Sequence, residues 1–347
     1  MLTSLFEQGK SFYQLIQDHP ELDLRDRRGK RHDLALVLTG LMLSLFRGCD
    51  GTLSGLHRSM KHLHESICQS LGVDSQDVIS RSQLPIVLSK VDFSGLSKLF
   101  FEELGFELGE TERSWFAADG KELRGSIDKG AKRGEAIVQA VEHQSRQVVA
   151  SDFYNGRKQS EKPTLRKLLR EHELLGQAIS FDALHFSPAT LIPIAKAGGW
   201  YLVGLKDNQK ELEEDMAHHA AYMPHIEELT QVEKGHGRLE SRHYKAFSIE
   251  TEYVDPRWKD AEFRSLIQVC RTRTIIKTGK TAKEKAMYIS NSPVHNAQEL
   301  FAAVRNHWTV ETNNYCRDVT LKEDKLRSKK APSIAPWPHY AQSSFMC

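Results

Sequence analysis

The spacing of apolar residues changes near residue 108 and divides the chain into two parts. Before that point, apolar residues in HDLALVLTGLMLSLFRG (32–48) are so dense that the pattern predicts a helix buried on nearly every side. The next run, GTLSGLHRSMKHLHESICQSLGV (51–73), has the spacing of an amphipathic helix that ends near Gly72. Residues 1–108 therefore predict a helical N-terminal domain. Two roles stay open for it: DNA contact, or packing and dimerisation.

From Ser114 onward, short runs with strand-like alternation are interleaved with helical ones. Three runs predict an antiparallel meander: SWFAADGKELRG, AIVQAVEHQ and RQVVASDFY. A helix, a strand, a second helix and an apolar strand follow: KPTLRKLLREHELLG, QAISFDALHF, SPATLIPIAKAGG and WYLVGLK. This order is typical of a ribonuclease-H-like fold, a mixed α/β sheet flanked by helices. We therefore expect such a core over residues 109–330.

The predicted core is interrupted after Lys206 by an insertion that spans about residues 207–294. It begins with a helical run, NQKELEEDMAHHAAYM, and continues with three runs that predict strands: HGRLESRHYKAFSI, FRSLIQVCRTRTIIK and KEKAMYISNS. Basic residues alternate into these strands, and four charged residues are predicted to share one strand face: His236, Arg238, Glu240 and Arg242. A wholly charged strand face favours a polyanion or another partner surface.

The last periodic stretch, residues 301–330, predicts one helix. Its apolar and aromatic residues are spaced to form a single buried stripe: Phe301, Val304, Trp308 and Tyr315. Glu311 follows Trp308 by three residues, so the pattern places this carboxylate on or beside the stripe. A buried carboxylate needs a partner. The helix alone leaves two alternatives open: a metal site, or a structural ion pair with Arg305, His307 or Arg317.

Two aspartates lie at the ends of predicted apolar strands, Asp119 after the first and Asp182 after the fourth. Taken singly, each is typical of a turn. In a ribonuclease-H-like sheet the first and fourth strands are neighbours, so both carboxylates would project from the same edge. Together with Glu311 they would repel one another unless a cation neutralised them. Oxygen ligands without cysteine suit Mg²⁺ or Mn²⁺, and a pair of such ions supports in-line phosphodiester displacement.

Six segments carry a resemblance to a known family: RHDLALVLTGLMLSLFRGC, WFAADGKELRGS, ISFDALHFS, GWYLVGLKDNQK, KGHGRLESR and RNHWTVETNNYCRDVTLKED. Together they resemble the ISAs1 family of DDE transposases of bacterial insertion sequences, also known as H-repeat-associated proteins, within the IS4-like group. The segments follow the family's order and cover almost the whole chain to about Lys330. The resemblance implies a ribonuclease-H-like catalytic core with a β-strand insertion and a metal triad of the DGK aspartate, the DALH aspartate and the HWxVE glutamate: Asp119, Asp182 and Glu311.

The resemblance also implies an activity, which is Mg²⁺- or Mn²⁺-dependent DNA strand cleavage at the ends of the element and transfer of the 3′-hydroxyl to target DNA. The expected partners are the inverted-repeat ends and the target DNA, bound by a homodimer. Basic residues near the triad and in the insertion are expected to contact DNA: Lys121, Arg124, His185, His236, Arg238, Arg242, Arg305 and His307. Lys206 and Asn208 are interpreted as solvated surface groups, and Trp308 as a core residue.

Composition narrows the class of protein without naming a partner. The formal net charge of +2 does not by itself indicate nucleic acid, so DNA binding depends on local clusters. Five cysteines stand far apart without a CxxC pair, which argues against a zinc ribbon and fits a reducing compartment. No stretch approaches the roughly 20 apolar residues of a membrane span. We expect a bacterial cytoplasmic protein, associated with the nucleoid and not with a membrane.

Two departures from the family pattern affect the expected activity. His307 stands where relatives in the broader group often have arginine, and histidine is only partly charged near neutral pH. After Lys330 the chain becomes APSIAPWPHYAQSSFMC, rich in proline and aperiodic, where relatives usually continue into an apolar helix. Residues 331–347 are therefore predicted to be an aberrant or truncated tail. Two alternatives to an active transposase stay open: a catalytically impaired DNA-binding remnant, and a host nuclease of ribonuclease-H-like fold.

Overall fold

The computed structural model describes residues 11–319 apart from 50–51, 75–76, 94, 97, 100–112, 128–129, 131, 155–157 and 251–253. The helices described in the N-terminal part are α1 Phe12–Gln17, α2 Leu34–Phe46, α3 Leu53–Leu71 and α4 Leu84–Leu88. Helix α2 is buried on almost every side, as predicted, and Asp33 caps its start by accepting a hydrogen bond from the amide of Ala35. Helix α3 ends at Gly72, whose φ of 66° favours glycine.

The second part of the chain is built on a sheet of nine strands. In chain order they are β1 Trp115–Glu122, β2 Ala136–Glu142, β3 Val148–Tyr154, β4 Ala178–Phe181, β5 Trp200–Leu205, β6 Glu227–Gly235, β7 Arg238–Ser248, β8 Ser265–Ile275 and β9 Thr281–Ser290. The helices are α5 Lys158–Glu171, α6 Pro188–Lys196, α7 Lys210–Tyr222, α8 Ala297–Asn306 and α9 Trp308–Val319. The strand order is β3-β2-β1-β4-β5-β9-β8-β7-β6.

The pairing of the first five strands follows the predicted order. Strands β1, β2 and β3 form the antiparallel meander, and β1, β4 and β5 run parallel to one another. The mixed α/β sheet with its helices is consistent with a ribonuclease-H-like domain, so the prediction of the fold class is confirmed. The adjacency of β1 and β4, on which the two aspartates depend, is confirmed as well.

The insertion extends the core sheet, because its last strand β9 pairs antiparallel with β5. It contributes four strands, one more than the sequence predicted. The additional strand β6 reads EELTQVEKG, and most of its residues are exposed. Because apolar and polar residues do not alternate in this charged run, its sequence did not predict a strand. It is held by antiparallel pairing with β7 over its full length.

One face of the sheet carries α8 and α9. On this face Leu202 of β5 packs with Phe301 of α8, and Ala117 of β1 packs with Val310 of α9. Side chains two residues apart on a strand share a face, so Asp119 continues the face begun by Ala117. This face is therefore apolar beneath the two helices and becomes polar toward the carboxyl ends of β1, β4 and β5.

The prediction of one straight helix with a continuous buried stripe is wrong. The chain forms two helices, α8 and α9, with His307 between them. Phe301 and Val304 are buried as expected, whereas Trp308 and Tyr315 are 47% and 63% exposed. In α9 the buried positions are Val310 and Arg317, and Glu311 is exposed. The rest of the stretch, and the predicted tail 331–347, lie outside the described residues.

None of the described helices combines the length and the apolar character that crossing a membrane requires.

Candidate active site

Asp119 lies inside β1, so the prediction that it stands at the end of the first strand is wrong. Strand β1 continues to Glu122 because β2 pairs with it along this whole length, as far as Ala136. The next residue, Gly120, lies against a helix: a Cβ atom there would be 2.5 Å from Cδ of Glu161. A larger residue would therefore displace Glu161. The close approach explains why glycine follows the aspartate.

Asp182 is the first residue after β4, as predicted, and it has a cationic neighbour. Nζ of Lys206 donates a hydrogen bond of 2.9 Å to Oδ1 of Asp182. Asn208 lies nearby, and its Nδ2 donates a hydrogen bond of 2.7 Å to the carbonyl oxygen of Ala183. Lys206 and Asn208 are both exposed, as their interpretation as solvated surface groups predicts, and both are in addition hydrogen-bonded to the loop that carries Asp182.

Glu311 reaches the same region from the first turn of α9. The helix is anchored by Val310, which packs on Ala117 of β1 and Val141 of β2. Glu311 itself faces a cleft of about 760 Å³ that is also lined by Asp119 and Asp182. The fold thus brings together the three carboxylates that the sequence singled out, one from β1, one from the end of β4 and one from α9.

The pKa values of these carboxyl groups show whether their surroundings in the cleft favour or oppose the ionised form. Burial raises the pKa of Asp119 to about 7, although the amide of Gly120 opposes the shift, and the charges of Glu161, Asp182 and Glu311 raise it further. The pKa of Glu311 is also raised, first by burial and then by the charge of Asp182. Burial acts in the same direction on Asp182, but the hydrogen bond and charge of Lys206, together with the amide of Ala183, outweigh it and lower the pKa of Asp182. At Asp119 and Glu311 the surroundings therefore oppose the ionised form, although the charges of Lys206 and Arg271 partly offset the shift at Glu311.

The donor set of this cleft fits a hard divalent cation. Three carboxylates supply only oxygen ligands, which Mg²⁺ and Mn²⁺ prefer, and two of them have raised pKa values that a cation would reverse. In their present positions, no three acidic, imidazole or thiol side chains among the described residues form a group that could hold a metal ion. The ammonium group of Lys206 is the cation bonded to Asp182.

A fourth carboxylate, Glu161, lies beside the cleft and was missed by the sequence reasoning. It is buried in the first turn of α5, where it accepts a hydrogen bond of 2.9 Å from the hydroxyl of Tyr154. Oε1 of Glu161 also lies 3.2 Å from Nε2 of His185. An isolated glutamate in an amphipathic helix carries no sequence signal of burial. His185 is fully buried here, so the prediction that it contacts DNA is wrong.

His307 takes part in a buried hydrogen-bond chain beneath Asp182. Its Nδ1 lies 2.9 Å from Oγ of Ser180, which in turn lies 3.1 Å from Nε2 of His143. Burial lowers the pKa of His307 to about 4 and that of His143 to about 3. Both rings are therefore neutral at pH 7, and His307 does not supply the positive charge expected of a phosphate contact.

The insertion presents a cluster of arginines on the face that carries α8 and α9. Four guanidinium groups surround the buried carboxylate of Glu240, and we call this cluster the arginine wall: Arg238, Arg242, Arg271 and Arg273. Register places Arg271 opposite Arg242, and Arg273 opposite Glu240. Burial raises the pKa of Glu240, but the hydrogen bond from Arg271 and the charges of its neighbours outweigh this and lower it. Glu240 is therefore ionised and holds the wall together.

The remaining predicted DNA contacts have different positions. His236 has a φ of 48° and lies in the two-residue turn between β6 and β7, so the prediction that it shares the strand face with Arg238 is wrong. Lys121 is 9% exposed and forms an ion pair of 2.6 Å with Asp318, which ties β1 to α9. Arg124 is exposed on the short helix after β1. Arg305 lines the cleft.

Trp308 lines the cleft and is 47% exposed, so its interpretation from the sequence as a core residue is wrong. The guanidinium carbon of Arg271 lies 5.5 Å from the centre of its ring, within the range of a cation–π contact. Arg271 thus connects the arginine wall to the first turn of α9, which carries Glu311. The cleft and the wall form one continuous polar surface.

Comparison with known proteins identifies the class to which this fold and site belong. Residues 110–334 match the family described as the Transposase DDE domain, and the chain belongs to this family. The matched residues include all three carboxylates of the cleft. The resemblance to DDE transposases is therefore confirmed, whereas membership of the ISAs1 group stays a prediction.

Relatives in Escherichia coli bear names that agree with this family. The chain is 27% identical over 266 residues to the H repeat-associated putative transposase YhhI of strain K12, which covers 75% of the chain and 69% of YhhI. It is equally similar over the same length to the putative protein YbfL of that strain. The chain is also 25% identical over 326 residues to the putative transposase YncI of strain O157:H7, an alignment that covers 89% of the chain and 80% of YncI. The chain is thus a transposase-family protein, for which DNA is the implied partner.

Proposed function

We propose that the chain is a metal-dependent DDE transposase that cleaves DNA strands at the ends of its element and transfers the 3′-hydroxyl to target DNA. The observation that carries the proposal is the position of Asp119, Asp182 and Glu311 on one cleft in a chain of the Transposase DDE domain family. The proposed partners are the inverted-repeat ends and the target DNA, bound by a homodimer. The N-terminal part of the chain, residues 1–108, is proposed to assist in binding the ends.

The chemistry assigned to each residue follows from its position. When bound by the three carboxylates, Mg²⁺ or Mn²⁺ would supply activation of the attacking hydroxyl and neutralise charge on the phosphate. Asp119 is the group most in need of a cation, because its pKa is about 7 in the absence of one. His307 is neutral and hydrogen-bonded to Ser180, so it acts as a hydrogen-bonding group at the cleft and not as a charged phosphate ligand.

The arginine wall is proposed to hold the DNA backbone on its way to the carboxylates. Arg242 and Arg271 line the cleft, and Arg305 lines it from the end of α8. Arginine binds phosphate oxygens through two parallel N–H groups, and such contacts position DNA without reading its sequence. This assignment retains Arg238, Arg242 and Arg305 from the predicted contacts and adds Arg271 and Arg273.

Replacement of single carboxylates tests the proposed reaction. Asp182→Asn and Glu311→Gln should each abolish Mg²⁺-dependent cleavage and strand transfer on a duplex carrying the terminal sequences that flank the gene, with binding of that duplex retained. Asp207→Asn is the matched control, because Asp207 lines the same cleft but is not assigned to the metal. It should retain both reactions.

The products separate the proposal from its alternatives. Cleavage that survives in Asp182→Asn or Glu311→Gln would refute the assignment of the carboxylates. Cleavage by the unaltered chain without any joined product would instead indicate a nuclease. End binding without a product in Mg²⁺ or Mn²⁺ would indicate a DNA-binding remnant.

A further inference from the structure

The ion pair between Lys206 and Asp182 lies at the surface of the cleft. Nζ and Oδ1 are 2.9 Å apart, and the two side chains are 65% and 51% exposed. Exposed pairs of this kind contribute only about 0–1 kcal/mol to stability. The pair therefore holds the fold only weakly, and either partner can exchange it for another ion at small cost.

The strands fix where the ammonium group of Lys206 can reach. Asp182 follows β4 directly and Lys206 follows β5 directly, and these two strands are parallel neighbours. Because both residues leave the same edge of the sheet, the ammonium group of Lys206 reaches the carboxylate of Asp182. Because the aliphatic stem of Lys206 has four methylene groups, its charged end can move by several ångströms while the backbone stays in place.

The ammonium group of Lys206 occupies the cleft that the three carboxylates share. It is hydrogen-bonded to Asp182, and it lines the same cleft as Asp119 and Glu311. In the absence of metal, Lys206 thus supplies part of the positive charge that a divalent ion would supply.

We propose that Lys206 is a resident counter-ion of the cleft: it holds Asp182 in the metal-free protein, is displaced when a divalent cation binds, and then donates to a phosphate of the bound DNA. This inference rests on the proposed function. The exchange is balanced in charge, because the ammonium group gives up one anionic partner, the carboxylate, and gains another, the phosphate. Lys206 would therefore link metal binding to DNA binding.

Metal affinity tests the first half of the inference without any turnover. Binding of Mn²⁺ to the full chain, measured by electron paramagnetic resonance or calorimetry without DNA, should be tighter in Lys206→Met by roughly two- to fivefold, the equivalent of one lost surface ion pair. Lys210→Met is the matched control. Lys210 lines the same cleft but lies 3.8 Å from Glu214 instead of contacting Asp182. It should change Mn²⁺ affinity less than Lys206→Met does.

Equal effects of the two lysine variants would overturn the inference, because they would report general electrostatics and not competition for Asp182. Lys206→Gln serves as a second variant, and an unchanged circular dichroism spectrum checks that each variant folds. Asp182→Asn separates this inference from the proposed function. If Asp182→Asn abolishes Mn²⁺ binding while Lys206→Met leaves it unchanged, only the role of Lys206 fails. If the unaltered chain binds no Mn²⁺, both proposals fail.

DNA affinity tests the second half. With Ca²⁺ present, Lys206→Met should weaken binding of the end duplex by roughly two- to fivefold, since one phosphate contact is lost. With EDTA the same variant should bind DNA as the unaltered chain does, because Lys206 is then held by Asp182. Equal weakening with Ca²⁺ and with EDTA would show a constant phosphate contact and would overturn the displacement.

Discussion

Replacing Asp119 with asparagine removes a carboxyl group whose ionisation opposes folding, so the variant should be more stable than the unaltered chain at alkaline pH. Asparagine has nearly the same shape, and its side-chain oxygen can still accept the hydrogen bond from the amide of Gly120 that Asp119 accepts. The substitution therefore changes charge while largely preserving packing. Without metal, the charge is the dominant difference between the two proteins.

The expected gain in stability of Asp119→Asn follows from the shift in the pKa of Asp119 on folding. The pKa of Asp119 rises from 3.8 to about 7 on folding, and each unit corresponds to about 1.36 kcal/mol. The full effect is thus of the order of 4 kcal/mol, and the opening of the cleft to water reduces it to roughly 2–4 kcal/mol. For a domain of this size, 1 kcal/mol shifts the melting temperature by about 2–4 °C. We expect an increase of several degrees.

The difference in stability between Asp119→Asn and the unaltered chain depends on pH. Below about pH 4 the carboxyl group is protonated in both the folded and the unfolded chain, so the unaltered chain bears no cost. Between about pH 4 and 7 the unfolded chain releases the proton while the folded chain retains it, and stability falls. Above pH 7 both states are ionised and the cost is complete. The advantage of Asp119→Asn should therefore grow from pH 4 to pH 7 and then level off.

Thermal unfolding in EDTA at pH 5 and pH 8.5, followed by calorimetry, measures this difference. Asp182→Asn is the control of opposite sign, since Lys206 lowers the pKa of Asp182 and its charged form stabilises the folded state. Addition of Mg²⁺ should raise the melting temperature of the unaltered chain more than that of Asp119→Asn. The reasoning is refuted if Asp119→Asn melts below the unaltered chain at pH 8.5, or if the difference is the same at both pH values.

Three further outcomes are expected. Lys121→Met should lower the free energy of unfolding by about 1–2 kcal/mol, because Lys121 is nearly buried in an ion pair. Lys210→Met, the control, should change the free energy of unfolding by less than about 0.5 kcal/mol. Urea denaturation measures both values. Arg271→Gln should reduce the slope of log affinity against log salt by about one, measured by fluorescence anisotropy, whereas Arg264→Gln, outside the arginine wall, should not. His307→Gln should lower the cleavage rate equally from pH 6 to 8, because the pKa of His307 is about 4; a displaced pH profile would contradict this.

The site could be predicted in part because some of its residues follow strong local patterns. QAISF is an apolar run that ends at Asp182, and the structure ends β4 at the preceding residue. Asp119 was recognised as a candidate, but its place within the strand was not, since the extension of β1 depends on pairing with β2. Glu161 was missed because its burial results from the approach of α5 to Gly120. Contacts between residues that are far apart in the sequence leave no local spacing of apolar residues from which they could be predicted.

The last helix is divided at His307 for a physical reason that the spacing of apolar residues in the sequence does not reveal. Helix α8 packs on β5 and β6, and α9 packs on β1 and β2. Because a sheet twists from strand to strand, one straight helix would not follow both regions. The break turns Trp308 and Glu311 away from the core and toward the cleft. The apolar spacing of the sequence predicted helical structure on both sides of His307, but neither the break nor the direction of the side chains after it, because both depend on the sheet beneath the helices.

The arginine wall shows how strand register turns scattered charges into a surface. KGHGRLESR predicted a charged face from His236 to Arg242, yet His236 lies in a turn and two of the four arginines come from β8, about thirty residues later in the sequence. Register sets Arg273 opposite Glu240 and Arg271 beside Trp308. The carboxylates of Glu240, Glu233 and Glu284 pair with the four guanidinium groups, which leaves a small excess of positive charge next to a cleft lined with carboxylates. A polyanion placed on this surface would be attracted by the wall and repelled by the carboxylates, so a divalent cation that neutralises them should strengthen DNA binding at the cleft. On the proposed function, we therefore expect metal binding to favour productive DNA binding.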